Sequence, residues 1–188
     1  MANCEQTQGL SVLGHGKLVH EYFKDLYNYL KDSDSEHEHD LELEWRLPKW
    51  IEDNKEFLLD NLLDYNTLKM YQIYHDCGKP YCLTIDSEEK RHFPDHANAS
   101  ADTWEKFSDN KQISYLIKHD MDIHLLKADG VPEFSNRKEA ISLLLTGLSE
   151  LHANASMFGG IGSTSFKIKW KNIDKRGRAI MKLLNNNL

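Results

Sequence analysis

With 188 residues, 40% of them hydrophobic and 28% charged, the chain has the length and composition of one compact globular domain with a core of its own. Its net charge of −7 is uneven: residues 167–182 carry seven Lys/Arg against the single acid Asp174, a local +6 that leaves −13 elsewhere. That balance excludes a general nucleic-acid coat but allows an anion to be received locally.

The three cysteines, Cys4, Cys77 and Cys82, are odd in number, so they make no disulfide framework and point to reduced thiols in a cytoplasmic protein. Met1 to Gln8 has neither a basic region nor an apolar run, and no stretch approaches the ~20 apolar residues of a membrane helix. A cytoplasmic location with no membrane partner is the expectation.

In chain order, residues 1–10 read as a loose start. Apolar residues at Leu18, Val19, Tyr22, Phe23, Leu26, Tyr27 and Leu30 recur at helical spacing and predict a helix over 18–30, with His15 just ahead of it or in its first turn. Residues 32–44 hold seven acids and no Lys or Arg, so self-repulsion predicts an open acidic loop; His37 and His39 alternate with its acids. Helices are predicted over 50–63 and 68–74.

The second of these runs into Tyr74-His75-Asp76-Cys77-Gly78-Lys79-Pro80. Gly78 suits a left-handed cap, and Pro80 blocks continuation. Residues 81–95 read as irregular, and helices follow over 97–107 and 111–118. Asp129 to Pro132 is a turn. The segment 136–155 is the clearest helix, with Ile141, Leu144, Leu145, Leu148 and Leu151 on one side. Phe166-Lys-Ile-Lys-Trp-Lys171 alternates strictly and predicts a short strand or extended arm, its lysines those of a guarded edge; a last helix follows over 173–184. Trp170 between lysines also suits base stacking. The prediction is an all-α bundle over residues 1–188 with a short extended or β segment near the C-terminus.

His15, the pair His75-Asp76, His96 and His119 are separated by intervals of 60, 20 and 23 residues. Each interval spans one or two helices, so these side chains converge only after the helices pack, as in bundle-core metal sites. Imidazole and carboxylate ligands suit Mn, Fe, Co, Ni or Zn without choosing among them, and an aspartate can bridge two ions.

In that order, with His75-Asp76-Cys77-Gly78-Lys79 at the centre and His96 in Phe93-Pro94-Asp95-His96-Ala97, the pattern resembles the HD-domain superfamily of metal-dependent phosphohydrolases. The resemblance covers roughly residues 12–155. Within that superfamily it is most similar to the HD phosphoesterase module associated with polynucleotide kinases of bacterial RNA repair. The resemblance implies an enzyme: a phosphohydrolase with a divalent transition-metal cofactor, two ions, that hydrolyses a phosphoester of a nucleotide or an RNA-end 2′,3′-phosphate by a metal-activated water. The partner is then a phosphorylated small molecule or an RNA end.

It assigns His15, His75, Asp76, His96 and His119 as metal ligands, Asp76 and Lys79 as catalytic, and Lys79 as a phosphate contact. His15 is preferred to His20, which falls inside the predicted helix. The superfamily's last ligand is an aspartate, and helix 136–155 has none. Glu150, about 180° around that helix from Ile141, is the nearest substitute, and Asp122 is its rival. Asp120 stands for a substrate contact, or for an acid that orients an imidazole. His37, His39 and His92 read as surface residues and His152 as a packed core histidine. Two other readings stay open: an HD-type nucleotidase, guanosine-polyphosphate hydrolase or di-iron oxygenase on a small molecule, or a non-catalytic HD-fold regulatory module.

Overall fold

In the computed structural model, which describes residues 1–7, 9–31 and 41–185, the chain is mainly helical. In chain order the elements are β1 (Glu5–Thr7), β2 (Leu10–Ser11), α1 (Val12–Lys31), α2 (Lys49–Glu52), α3 (Lys55–Asp60), α4 (Tyr65–Tyr74) and α5 (Lys79–Cys82). β3 (Thr84–Ile85), β4 (Arg91–His92), α6 (His96–Trp104), α7 (Lys111–Lys118) and α8 (Asp122–Leu125) follow. A 3₁₀ turn at Ala128–Gly130, α9 (Val131–Ser135), α10 (Ala140–Ala153), a second 3₁₀ turn at Ala155–Phe158 and α11 (Thr164–Asn185) complete the chain. The two small sheets are antiparallel pairs, β1 with β2 and β3 with β4. Among the described residues no helix is long and apolar enough to cross a membrane.

The chain divides into two compact units, residues 1–20 with 64–121 and residues 21–63 with 122–188. α1 runs from the first into the second at His20. In the first unit α7 packs on α4 and α6. α7 buries Ile113, Leu116 and Ile117 along one face, and Asn110 caps it by accepting from the Ile113 N–H. Asp64 caps α4 in the same way through Thr67. In the second unit α10 packs on α11 and α8. α10 is buried from Ala140 to Ser149 without a break, polar Ser142, Thr146 and Ser149 included. It is therefore an interior helix rather than an amphipathic one, and its helical wheel has no solvent side on which to place Glu150.

Four expectations are corrected. The strand or extended arm expected at 166–171 is the first part of helix α11. Ser163 caps that helix by accepting from the Phe166 N–H. Phe166, Ile173 and Ile180 are buried at seven-residue spacing while Ile168 is exposed. The heptad over fifteen residues outweighs the six-residue alternation, because burying three such side chains is worth roughly 1.5–3 kcal/mol each. Helix 50–63 is two short helices, broken at Asp53 and Asn54, where the Asn54 amide turns back to the Trp50 carbonyl. The loose start is a hairpin tied to β4 through Glu5 and Arg91 and to the chain beyond it by the Val12 N–H on the Cys4 carbonyl. Finally, Gly78 is right-handed, with φ −84°.

The acidic loop lies partly outside the described residues, and His37 and His39 with it. Its last residues are tied down: the Asp25 carboxylate accepts from the Glu42 and Leu43 N–H groups, 3.0 Å each, and from the Trp45 indole at 2.8 Å.

Candidate metal centre

The site belongs to the first unit, and two glycines build it. A Cβ on Gly16 would lie 2.2 Å from the Ile73 carbonyl oxygen. Only a residue without a side chain lets α1 touch the end of α4, and that contact sets His15 against His75, their rings 5.2 Å apart edge to face. A Cβ on Gly78 would lie 2.2 Å from the Ala99 carbonyl carbon. Glycine there serves close approach to α6 rather than a left-handed cap. The Gly78 N–H donates to the Ser100 hydroxyl at 2.9 Å, and the Cys77 thiol donates to the Ser100 carbonyl at 3.2 Å. The turn after α4 is thus bolted to α6, whose first residue is His96.

Asp76 is the hub. It is 1% exposed. Its Oδ2 lies 3.2 Å from His75 Nε2 and 3.8 Å from His15 Nε2, and its Oδ1 lies 3.8 Å from His96 Nε2. Lys79 Nζ donates to Oδ2 at 2.5 Å, and the Gln6 amide reaches the same oxygen at 3.4 Å. Burial alone would raise the Asp76 carboxyl, but the charges of His75, Lys79 and His15 outweigh it and hold the group well below the usual carboxylate range. Asp76 is therefore an anion at any working pH. Burial, reinforced by the Asp76 charge, pushes the neighbouring Cys77 thiol up to about 11, so it is no nucleophile at neutral pH.

Two imidazoles are oriented by backbone. His75 Nδ1 meets the Gln72 carbonyl at 2.8 Å, and His96 Nδ1 meets the Phe93 carbonyl at 3.1 Å. A carbonyl only accepts, so each Nδ1 carries a proton, and each ring is held with Nε2 turned toward Asp76. Ligand atoms about 2.1 Å from a tetrahedral ion stand roughly 3.4 Å apart. The 3.2 and 3.8 Å separations bracket that value. Asp76 Oδ1 supplies an independent test of fit, since it is buried and accepts no hydrogen bond among the described residues. Desolvating a carboxylate oxygen without a donor is costly, and a cation removes that cost. The chain's own donors thus fit a divalent transition ion, with His15, His75 and Asp76 all within 4.8 Å of one another.

The other expected residues fall as follows. His119 caps the C-terminus of α7 and lies outside that close group among the described residues, its ring 4.3 Å from Tyr115. Asp120 is buried and accepts from the Tyr71 hydroxyl at 2.5 Å. Glu150 belongs to the second unit, where it lies 2.8 Å from His124 Nε2; Asp122, of the same unit, pairs with Arg137. Lys79 is buried on Asp76 rather than extended into solvent. His20 meets the Gln72 side chain at 2.9 Å, and His92 is an exposed partner of Asp86 at 2.7 Å. Sequence reasoning missed Gln6, for which there was no signal. It also missed Gly16, whose signal was the Gly14-His15-Gly16 run.

Beside the same turn opens a cleft of about 570 Å³, lined by Cys77, Pro80 and Tyr81 together with Met70, Tyr74 and Trp104. It carries four aromatic rings and no charged side chain. No protein-family model, no curated protein and no solved structure matches this chain.

Proposed function

We propose that the protein is a metal-dependent phosphohydrolase of the HD type that acts on a nucleotide or an RNA-end phosphate. The observation that carries this reading is the buried Asp76 carboxylate with imidazoles on both sides, one of its oxygens lacking a hydrogen-bond donor among the described residues. His15 and His75 on the Oδ2 side and His96 on the Oδ1 side would hold a divalent transition metal. Such ions supply Lewis-acid activation of water and screening of phosphoryl charge.

The chain's own residues do the rest. The Gln72 and Phe93 carbonyls hold the His75 and His96 rings in orientation, so neither ring has to turn before a cation is accepted. Lys79 spends one of the three N–H bonds of its ammonium group on Asp76 and keeps two for a phosphate oxygen. Its fixed charge is already paired with the carboxylate, so it needs little reorganisation as negative charge grows on the phosphoryl group. The uncharged aromatic cleft beside the turn favours a substrate that carries a ring, as a nucleotide or an RNA end does.

His119 remains a proposed ligand, and Asp120 a proposed substrate contact. Measured metal stoichiometry of His119→Ala tests the first.

One experiment tests the whole reading. Metal-stripped protein is reconstituted with Mn, Fe, Co, Ni and Zn in turn and assayed on a 2′,3′-cyclic or 3′-phosphate RNA end and on free nucleotides. Metal-dependent phosphate release from one of them is expected. Failure to take up any of these ions overturns the enzyme reading. An iron-specific optical spectrum with oxygen consumption would replace it with an oxygenase.

A further inference from the structure

The second unit carries a cavity of about 300 Å³ whose polar lining is Lys127, Lys175, Arg176 and Asn172; the rest is aliphatic. No carboxylate lines it. Asn172, Lys175, Arg176 and Ala179 follow one another at i, i+3, i+4 and i+7 on α11, so a single helical face points at the cavity. Lys127 faces them from the segment between α8 and α9.

The cations are uncompensated. The one acid of residues 167–182, Asp174, is taken by Arg178 at 2.8 Å. Lys127 and Lys175 have no ion pair among the described residues. Arg176 is half-buried, and its Nε donates to the Leu126 carbonyl at 2.9 Å, which fixes the guanidinium plane and leaves its outer nitrogens as donors. Burial pulls its pKa below the usual guanidinium value, with no neighbouring anion to offset the effect.

Three like charges converging on one concave surface repel each other, and the cost rises as water is displaced. Folding gains nothing from that arrangement. The protein is −7 overall and has acids to spare, yet places none here. An anion in the cavity reverses the sign of every one of these terms.

We infer that this cavity is a binding site for a phosphate dianion, either free or as a terminal phosphomonoester. Its concave form receives the end of a ligand rather than a chain passing through. Its three cations match a doubly charged group better than the single charge of a phosphodiester. A bidentate guanidinium and two point-charge ammoniums are the donors such a group requires. The site lies in a different unit from Asp76 and stands whether or not that cluster is an enzyme centre.

The test uses the full chain, stripped of metal with a chelator, at constant ionic strength. Inorganic phosphate and a nucleoside 5′-monophosphate are titrated calorimetrically into wild type, Lys127→Glu, Lys175→Glu and Asp76→Ala. A short oligoribonucleotide without terminal phosphates is the third ligand. Both lysines are exposed, so their variants fold. Saturable one-to-one binding of phosphate and the monophosphate is expected, weakened roughly tenfold by each charge reversal and unchanged by Asp76→Ala. Binding that survives both reversals, or is lost in Asp76→Ala, overturns the assignment. So does the absence of saturable phosphate binding. Binding of the oligoribonucleotide alone, with a steep salt dependence, would replace the phosphate site with a polynucleotide track.

Discussion

The two units bury histidine in opposite ways. In the second unit His152 is 1% exposed among Tyr22, Trp45 and Phe166, and both of its nitrogens are spent on backbone. Nδ1 donates to the Leu148 carbonyl at 2.8 Å, and Nε2 accepts from the Arg46 N–H at 3.1 Å. In the first unit His75 and His96 spend Nδ1 on a backbone carbonyl and turn Nε2 to a shared carboxylate. The first arrangement is closed and neutral. The second is a cluster of imidazoles and a carboxylate that could hold a metal ion. Burial alone does not distinguish a structural histidine from a ligand; what the second nitrogen faces does.

Asp76→Ala should break the contrast most severely. It removes the one charge shared by the imidazoles, so under the proposed function metal content by elemental analysis should fall to background and phosphoesterase activity by roughly a thousandfold or more. The circular dichroism spectrum should be kept, because among the described residues the Asp76 carboxylate meets side chains rather than backbone groups.

Gly78→Ala comes next. A methyl placed 2.2 Å from the Ala99 backbone must push the turn off α6, at a cost of about 1–3 kcal/mol or more. Thermal melting should show a lower Tm, and metal uptake should weaken with it, since His96 opens α6. A Gly78→Ala protein with unchanged Tm would mean that the turn and α6 are not in tight contact.

His152 tests the other side. Its lone charged form is disfavoured by burial, which pulls its pKa from the usual 6.5 down to about 4, the two backbone bonds only partly opposing this. The unfolded chain therefore binds a proton at higher pH than the folded one. Stability from this residue is fully present above about pH 6.5 and declines as pH falls toward 4, by on the order of 3 kcal/mol in total. Denaturant melts of wild type and His152→Leu across pH 4–8 check it: the variant starts less stable at pH 7 but loses less on acidification. Parallel curves would show that another group governs that window.

The smallest effect is expected at His92. It is 54% exposed and, among the described residues, pairs with Asp86 on a hairpin. His92→Ala should leave both Tm and metal content unchanged, because exposed ion pairs contribute little.

Much of this was legible before folding. The helices over 68–74, 111–118 and 136–155 follow from apolar spacing, and each lies close to its predicted bounds. His152 was readable as a core histidine because it sits on the apolar side of its helix. The pair His75-Asp76 was readable because a helix had to end there, before Gly78 and Pro80. The strand expected at 166–171 failed because six alternating residues are too short a window to override the heptad that continues through Ile173 and Ile180.

Sequence by itself determined the ordered set of imidazoles, the helix that presents His75 and Asp76, and the basic stripe near the C-terminus. Each is a local matter of residue type and period. Tertiary structure alone decided which of those imidazoles meet one carboxylate, that Gln6 and Lys79 share its Oδ2, that Gly16 and Gly78 exist to let helices touch, and that Lys127 joins Lys175 and Arg176 around a cavity. These depend on distances between residues far apart in the chain, such as the 61 positions from His15 to Asp76. Spacing along a sequence states that two side chains can converge; only the packing of the helices between them states that they do.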